Sequence, residues 1–355
     1  MLQYMTTKDA ADKWEISQRR VNTLCAENRI SDAAMLGNMW IIPINANKPD
    51  DARMSRNFDD KSKMHPFVKW AGGKNQHLKI LTENLPEGFG KNIRKYAEPF
   101  VGGGALLFEI LSKYKLDAVY INDNNKELIN AFNIIKFNCK ELIKNLDEIE
   151  NEYLKLYDEE RQNYFYIKRV EFNWLELNEY NQIKKAALFI FLNKTCFNGL
   201  YRVNKHGKFN VPVGKYKNPL ICDSENLFKI SKALQNVEIN CLDYHDCYKF
   251  ADDQTLIYFD PPYRPLNKTS SFTSYTENVF SDKNQIELAE FYKKLSEKGV
   301  KLLLSNSDPK NFNKEDNFFD NLYYEFNIKR INAVRMINSA ADKRGHITEL
   351  LIKNY

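Results

Sequence analysis

The segment Asp260-Pro261-Pro262-Tyr263 directly follows an apolar run of strand type, Leu256 to Phe259. Two consecutive prolines cannot continue a helix or a central strand, so the strand must stop at the carboxylate. The strand tip therefore presents an acid that accepts hydrogen bonds and an aromatic ring that offers a stacking surface. Taken alone, this segment fits either a ligand-binding site or a structural strand terminus.

A second group of residues suited to ligand binding lies in EPFVGGGALLF, residues 98–108. Its three glycines fall between a predicted strand and a predicted helix, where they permit a tight turn and close approach of a ligand to the backbone. The loop lacks the full GxGxxG pattern of dinucleotide sites. Asp123 ends the next predicted strand about 20 residues later, where a carboxylate is well placed to bind ribose hydroxyls. The pair fits either a nucleoside site or a turn with a solvent-facing acid.

A third glycine-containing motif is PFVKWAGGKNQHL, residues 66–78. It lacks the GxxxxGK[ST] spacing of a P-loop, because Asn75 follows Lys74, so a phosphate-binding ATPase or kinase is disfavoured. Trp70, beside two glycines, fits either a cover over a bound base or cofactor, or a core tryptophan at a helix start.

The stretch from Asn181 to Cys222 contains no Asp or Glu. Lys and Arg neutralise phosphates, and Arg and Asn can also pair with base edges. The stretch fits either a nucleic-acid contact or a solvated basic face, and its glycines and prolines after residue 196 predict a loop or hairpin. Its basic residues, interleaved with Asn and Tyr, are Lys184, Lys185, Lys194, Arg202, Lys205, Lys208, Lys215 and Lys217.

Four motifs, PFVKWAGGK, EPFVGGGALLF, FNGLYRVN…FNVPVGKYKNP and DPPY, occur in this order over roughly residues 65–355. Together they resemble the DNA adenine methylase family, whose members methylate the N6 of adenine with S-adenosylmethionine. The resemblance implies S-adenosylmethionine as cofactor and double-stranded DNA as partner, and it requires no metal. Related D/N-P-P-Y/F signatures occur in RNA adenine and protein glutamine methyltransferases.

The resemblance also implies roles for the matching residues. The catalytic group comprises Asp260, Pro261, Pro262 and Tyr263. The cofactor group comprises Trp70, Lys74, Phe100, Gly102, Gly104, Asp123 at the ribose, Asp243 of CLDYHD near the adenine, and Asp260. The DNA-facing group comprises Lys69, Asn198, Arg202, Lys215, Tyr216 and Lys217.

The chemistry implied for Asp260 is that of a hydrogen-bond acceptor. An exocyclic adenine amine is a poor nucleophile because its lone pair is delocalised into the ring. The Asp260 carboxylate and the Pro261 carbonyl would hold the N–H groups so that the lone pair points at the methyl group. The adenine must leave the duplex to reach them, and Tyr263 would stack on the flipped base.

These residues need a scaffold that gathers strand ends. The strand candidates 93–100, 118–123, 255–260, 301–307 and 348–355 mostly alternate with helical segments. The alternation predicts an α/β domain over residues 66–355 with a doubly wound, mostly parallel sheet, which binds ligands beyond the carboxyl ends of its strands. The segment from about 137 to 240 breaks the alternation and is predicted to be a target-recognition insert.

The chain before this domain has a different character. Residues 1–45 show a helix, a turn, a second helix and a strand hairpin at 34–43, and residues 46–65 form a polar linker. The arrangement resembles the winged helix-turn-helix of excisionase and MerR-type regulators. It implies an accessory DNA-binding module, and a small packing or dimerisation domain is the alternative. The predicted recognition helix carries Gln18, Arg19, Arg20 and Asn22.

Composition and charge limit the possible partners, metal sites and cellular location. The 355 residues carry a formal net charge of +5, which is compatible with a polyanionic partner. Six cysteines occur without CxxC spacing, which predicts reduced, buried thiols and no zinc site. The N-terminus lacks a signal-peptide core, and no apolar run reaches a membrane span. We expect a soluble, cytoplasmic monomer or weak dimer without membrane association.

Three functions remain in competition on the sequence alone. The first is a site-specific DNA adenine N6-methyltransferase, with GATC as the expected site and a cognate restriction endonuclease as a candidate partner in a restriction-modification system. The second is an RNA adenine N6-methyltransferase. The third is a non-catalytic DNA-binding regulator on a methylase fold.

Overall fold

The computed structural model describes residues 4–14, 16–26, 29–37, 39–49, 63–264, 280–334 and 346–355. The chain forms two compact units, Met1–Lys63 and Met64–Tyr355. The division falls within the predicted linker at 46–65, most of which lies outside the described residues.

The smaller unit has two helices and a three-stranded antiparallel sheet in the order β1-β3-β2. Its elements are β1 (Tyr4–Thr6), α1 (Thr7–Trp14), α2 (Gln18–Ala26), β2 (Ala34–Leu36) and β3 (Met39–Pro43). The Thr6 hydroxyl accepts a hydrogen bond from the Asp9 amide at 3.2 Å, which caps α1. Apolar residues at helical spacing, including Val21 and Leu24, form its core with Trp14.

The larger unit contains a seven-stranded sheet in the order β6-β5-β4-β7-β8-β10-β9. Its strands are β4 (Lys95–Glu98), β5 (Ala118–Asn122), β6 (Val237–Asn240), β7 (Thr255–Phe259), β8 (Lys301–Ser307), β9 (Asn327–Val334) and β10 (His346–Lys353). The pairs from β6 to β8 are parallel, and β10 is antiparallel to both β8 and β9. The predicted mostly parallel sheet is confirmed.

Helices cover the two faces of this sheet. They are α3 (Leu78–Glu83), α4 (Ala105–Lys113), α5 (Lys126–Phe137), α6 (Cys139–Lys155), α7 (Asp158–Trp174), α8 (Gln182–Thr195), α9 (Ser224–Ala233), α10 (Cys247–Phe250), α11 (Asp282–Glu297) and α12 (Phe318–Leu322). Every residue of β7 is buried, as the apolar run Leu256–Phe259 requires for a strand covered on both faces. One core cluster includes Leu256 and Tyr258, and a second includes Ile257 and Phe259.

The region predicted as an insert is only partly separate from the sheet. Helices α6, α7 and α8 pack on one another and on α5. The sheet resumes at Val237, however, because β6 pairs with β5 in parallel. The predicted insert end at about residue 240 is therefore too late. The Val-Glu-Ile-Asn sequence of β6 is too short for its periodicity to distinguish a sheet strand from insert structure.

Two of the basic residues in the carboxylate-free stretch have partners within the protein, and a third, Lys194, is partly buried. The ammonium of Lys185 is buried and donates to the carbonyls of Phe172 and Leu175, at 2.7 and 2.8 Å. Lys184 forms an ion pair with Glu171. Burial lowers the pKa of Lys194, on the same helix α8. Lys184 and Lys185 are therefore bonded to neighbouring parts of the helical region.

The described residues contain no group of three or more His, Cys, Asp and Glu side chains that could hold a metal ion. None of the helices in the described ranges is long and apolar enough to cross a bilayer. All six cysteines are free thiols, five of them buried, whereas Cys241 is exposed contrary to the prediction.

Candidate active site

The carboxyl ends of four adjacent parallel strands bring the candidate residues to one edge of the sheet. Asp243 follows β6, Asp123 follows β5, Phe100 follows β4 and Asp260 follows β7. Their strands are neighbours in the sheet although the residues are far apart in the chain. This edge is where an open parallel sheet binds ligands.

Asp260 and Lys74 form an ion pair at the centre of this edge. The Lys74 ammonium lies 2.9 Å from the Asp260 carboxylate and donates to the Gly72 carbonyl at 2.7 Å. It also lies 4.6 Å from the centroid of the Tyr263 ring, in a cation–π contact. Burial raises the pKa of Asp260, and the charge of Lys74 opposes that rise. The lysine therefore favours the ionised carboxylate.

The backbone around the two prolines is fixed by neighbouring elements. The Pro262 carbonyl accepts from the Gln285 amide of α11 at 3.1 Å, and Gln285 in turn accepts from Asn306 of β8 at 3.0 Å. The Arg264 carbonyl accepts from the Ser307 hydroxyl at 2.9 Å. The turn that carries Tyr263 is thus bonded on both sides of that residue.

The Tyr263 side chain reaches a carboxylate that sequence reasoning did not select. Its hydroxyl donates to Glu349 of β10 at 3.0 Å. The other oxygen of Glu349 lies 3.9 Å from Nε2 of His77, a buried residue just after the first glycine motif. Glu349 is an isolated acid in the apolar run TELLI, and that was the signal available in the sequence.

The glycine loop is shaped around Trp70. Gly102 and Gly104 adopt φ values of 49° and 73°, in the left-handed region that favours glycine. A Cβ atom on Gly102 would lie 2.8 Å from the Trp70 ring. The ring also stacks on Tyr201, with centroids 5.6 Å apart and planes 17° apart. Trp70 therefore contacts both the loop and the region implicated in DNA recognition.

Asp123 is bonded to the glycine loop. Its carboxylate accepts from the amides of Gly102 and Asn125, at 3.1 and 3.0 Å. Burial raises the pKa of Asp123, whereas these amides oppose the rise. The neighbouring Asn122, which sequence reasoning missed, donates to the carbonyls of Pro99 and Leu242 at 3.1 and 3.0 Å. Its buried amide ties together the loops that follow β4, β5 and β6.

Asp243 has its closest partner within its own loop. Its carboxylate accepts from the His245 amide at 2.9 Å and contacts the His245 ring at 2.5 Å. Its side chain is 64% exposed, so it is open to a ligand or to solvent. Phe100 packs on Tyr244 of the same loop, with ring centroids 5.2 Å apart.

Glu98, the last residue of β4, is a further buried acid at this edge. The Tyr96 hydroxyl donates to its carboxylate at 2.6 Å. Burial, with a smaller contribution from the charge of Asp260, raises the pKa of Glu98 to about 8, and the hydrogen bond from Tyr96 opposes the rise. Its position directly before the glycine loop, as the E of EPF, was the sequence signal that was not used.

We call residues 196–218 the recognition segment, and it is anchored at its base by Asn193. The Asn193 amide accepts from the Lys69 N–H at 2.8 Å and donates to the carbonyls of Lys69 and Gly199, at 2.8 and 3.0 Å. The Lys69 ammonium lies 4.8 Å from the centroid of the Tyr216 ring. The segment is therefore fastened to the chain directly before Trp70.

The remaining DNA-facing candidates project from the recognition segment. Asn198, Lys215 and Lys217 are exposed, and Asn198 adopts a left-handed φ of 56°. Arg202 donates through Nε to the Asn210 side chain at 2.8 Å. The structure brings Lys69 and Tyr216 together, and it places Asn198, Arg202 and the two lysines on the same segment.

Comparisons with known proteins agree with this geometry. Residues 70–337 match the family described as D12 class N6 adenine-specific DNA methyltransferase. The chain is 51% identical over 292 residues to the Type II methyltransferase M.MjaIII of Methanocaldococcus jannaschii, covering 82% of this chain and 99% of that protein.

Two further relatives extend the comparison. The chain is 38% identical over 303 residues to the Type II methyltransferase M1.LlaDCHI of Lactococcus lactis, covering 83% of this chain and 97% of that protein. It is 36% identical over 250 residues to the DNA adenine methylase of Escherichia coli K12, covering 69% and 82% of the two chains. The family match begins after the smaller unit, so it carries no information about residues 1–63.

Proposed function

Because the chain belongs to the D12 class of N6 adenine-specific DNA methyltransferases, we propose that the edge around Asp260 is its catalytic site. The enzyme methylates adenine N6 in DNA. The observation that carries the assignment of the site is the ion pair between the buried Lys74 and the partly buried Asp260, which brings the first glycine motif and the D-P-P-Y segment together.

The residues present fit S-adenosylmethionine as methyl donor. The glycine loop has φ values that side chains rarely adopt, and Gly102 and Gly103 remain partly exposed beside Trp70. Asp123, partly exposed beside that loop, would bind the ribose hydroxyls. Trp70, Lys74, Phe100, Gly102, Gly104 and Asp243 would complete the pocket. When bound, S-adenosylmethionine supplies an electrophilic methyl group on a sulfonium.

The proposed role of Asp260 is to accept a hydrogen bond from the adenine amine, together with the Pro261 carbonyl. This contact would direct the nitrogen lone pair at the methyl group that the bound cofactor would supply. The amine loses a proton only after attack. Lys74 supports the role because it favours the ionised carboxylate, which is the accepting form.

Tyr263 is the proposed stacking surface for the flipped adenine. The Lys74 ammonium covers one face of its ring, so the base would stack on the opposite face. Stacking on an aromatic side chain contributes about 1–3 kcal/mol per base and replaces part of the stacking lost from the duplex.

The test is a methyl-transfer assay with labelled S-adenosylmethionine on duplex DNA and on RNA. We expect label in duplex DNA, and loss of transfer by about 10³-fold or more in Asp260→Ala, with most cofactor and DNA binding retained. Asp260→Asn keeps the shape of the side chain and tests whether its negative charge is required. Near-normal turnover in Asp260→Ala would overturn the proposed site. Transfer to RNA alone would support an RNA adenine methyltransferase. Binding of DNA without any transfer would support a non-catalytic DNA-binding regulator.

The proposed DNA contacts are Lys69, Asn198, Arg202, Lys215, Tyr216 and Lys217. Their support is that Asn193 anchors one segment carrying most of them beside the active site. If Arg202 reads a base edge, Arg202→Ala weakens discrimination among sequences, whereas an equal loss on all sequences makes it a phosphate contact. GATC is the proposed target, within a restriction-modification system. Mapping N6-methyladenine in cells expressing the chain tests it, and unmethylated GATC sites would contradict it.

The smaller unit is proposed to be an accessory winged helix-turn-helix that binds DNA. Its two helices and the antiparallel pair β2–β3 support this interpretation, and Arg19 and Asn22 are exposed on α2. Gln18 donates to Thr7 at 3.1 Å, which gives it a structural role as well. Replacing Arg19 and Arg20 by Ala in the full chain should weaken DNA binding while the cofactor affinity stays unchanged. Unaltered DNA affinity would favour a packing or dimerisation unit.

A further inference from the structure

We propose that Glu349 is a positioning residue that fixes the ring of Tyr263 for stacking of the target adenine. The inference rests on the proposed role of Tyr263, and it adds a residue to the site from a part of the chain that the four motifs do not include. Glu349 lies on β10 and would act only through the phenol, without touching adenine or cofactor.

The immediate neighbours of Glu349 on its strand face are apolar or neutral, and the face also carries Lys353 and, opposite Leu351, Lys329. β10 lies between β8 and β9, where Glu349 is paired with Ser307 and Ile331. Leu351, two residues on and therefore on the same face, is buried in the core. The Glu349 side chain is 19% exposed. A carboxylate in such surroundings is costly to bury unless it has partners, and the Tyr263 hydroxyl is one.

The backbone of Tyr263 is already fixed without Glu349. Pro262 and Arg264, on either side, each accept a hydrogen bond from α11 or β8. The rotation of the side chain is what remains to be restricted. Glu349 holds the hydroxyl end of the ring at 3.0 Å, and the Lys74 ammonium covers one face. The ring plane is therefore set before a base arrives, which is the condition for efficient positioning.

His77 connects this contact to the first glycine motif. Its Nε2 lies 3.9 Å from the second oxygen of Glu349, and its side chain is buried. Glu349 thus lies between Tyr263 and His77, and its carboxylate cannot swing away from the phenol without leaving His77 as well.

The test is a double-mutant cycle between Glu349 and Tyr263, read as the single-turnover rate of methyl transfer at saturating cofactor and DNA. We expect Glu349→Ala to lower the rate about tenfold, with the dissociation constant for S-adenosylmethionine unchanged. Glu349→Gln keeps an acceptor oxygen and should retain most of the rate. Tyr263→Phe removes the same bond from the other side and should lower the rate by a similar factor.

The decisive result is the rate of the double variant. If Glu349 acts through the phenol, Glu349→Ala has almost no further effect in the Tyr263→Phe protein. Equal effects of Glu349→Ala in both backgrounds would overturn the inference, as would a wild-type rate for Glu349→Ala. If Glu349→Ala does not fold, Glu349→Leu provides the same comparison, with Glu349→Gln as its control. Failure of the wild-type protein to methylate DNA would instead overturn the proposed function.

Discussion

The edge of the sheet around Asp260 and the recognition segment, residues 196–218, differ in the burial and bonding of their charged side chains. At the edge, the carboxylates of Glu98, Asp123 and Asp260 are each held by a hydrogen-bond donor or a cation, and their pKa values are raised by burial. In the recognition segment, cations such as Lys205 and Lys215 are exposed to solvent. The segment is instead fastened at its base, through the buried amide of Asn193.

This difference matches two different requirements: fixed geometry at the sheet edge and adaptable side chains in the recognition segment. The proposed mechanism requires an acceptor and a stacking ring at fixed positions, and the edge offers partly buried groups with bonded partners for both. Contacts to phosphates and bases require side chains that can follow the surface of a duplex, and exposed loops on a firm base provide those. Changes at the edge should therefore affect the chemical step, whereas changes in the segment should affect DNA binding.

Among changes that leave Asp260 in place, the largest effect should come from Lys74→Ala. Without the ammonium, the main opposition to the burial of Asp260 is removed and its pKa rises further, so the proposed accepting carboxylate is lost as the pH falls through a higher range than in the wild type. We expect kcat near neutral pH to fall about 100-fold, the order seen when one preorganised polar partner is removed. The acidic limb of the kcat profile, measured at saturating cofactor, should move to higher pH.

Lys74→Arg is the matched control for this experiment, because it keeps a cation beside Asp260. It should restore the position of the acidic limb even where the rate itself is reduced. A uniform loss of rate in Lys74→Ala at every pH would show that the lysine does not control the ionisation of Asp260.

A smaller effect is expected from Gly199→Ala in the recognition segment. Gly199 has a φ of +64°, and an added Cβ would lie 2.3 Å from the Lys69 side chain, which must then move away from its place beside Tyr216. We expect the dissociation constant for duplex DNA to rise several-fold, measured at one salt concentration. The rate of the chemical step at saturating DNA should change much less.

Gly207→Ala controls for backbone strain alone. Gly207 has a similar φ of +67°, but an added Cβ would meet no atom within 4 Å. Both substitutions carry the cost of a left-handed backbone, about 1–2 kcal/mol, and only the first displaces Lys69. Equal losses of DNA affinity in the two variants would assign the effect to strain and break the link between Lys69 and DNA binding.

The smallest effect should be the change in stability caused by Glu98→Gln. Burial raises the pKa of Glu98 from 4.5 to about 8, so the folded state holds its proton more tightly than the unfolded state. The contribution of Glu98 to stability is therefore complete below pH 4.5 and is lost as the pH rises towards 8. Gln has no such proton. The Tm of the variant should equal that of the wild type near pH 5 and exceed it by a few degrees near pH 8. Parallel curves of Tm against pH would contradict the assigned burial.

The strands were predictable from the sequence where an apolar run is bounded by residues that end a strand. The prediction of 301–307 matches β8, Lys301–Ser307, and the run ended by Asp260 matches β7, Thr255–Phe259. The parallel order followed from the alternation of strands with helices. β6 was missed because four residues are too few for a periodic signal, and a helical region precedes it.

The site was predictable only as far as local motifs reach. The motifs named Asp260, Lys74 and Tyr263, but not Glu349, because the hydrogen bond from Tyr263 spans 86 residues and depends on how β10 enters the sheet. From its place in the carboxylate-free stretch, Lys185 was also predicted to belong to a basic face. Its ammonium in fact satisfies two carbonyls inside the protein, and a count of charges cannot detect that burial.

The position of β10 in the sheet has a consequence for the order of folding. β9 precedes β10 in the sequence, but its partner in the sheet is β10, which also pairs with β8. Until β10 enters, β8 keeps an open edge and β9 has no place in the sheet. Such an edge can pair with other chains. The pairing of β10 also brings Glu349 to Tyr263, so one strand both completes the sheet and supplies the hydrogen-bond partner of the proposed stacking ring.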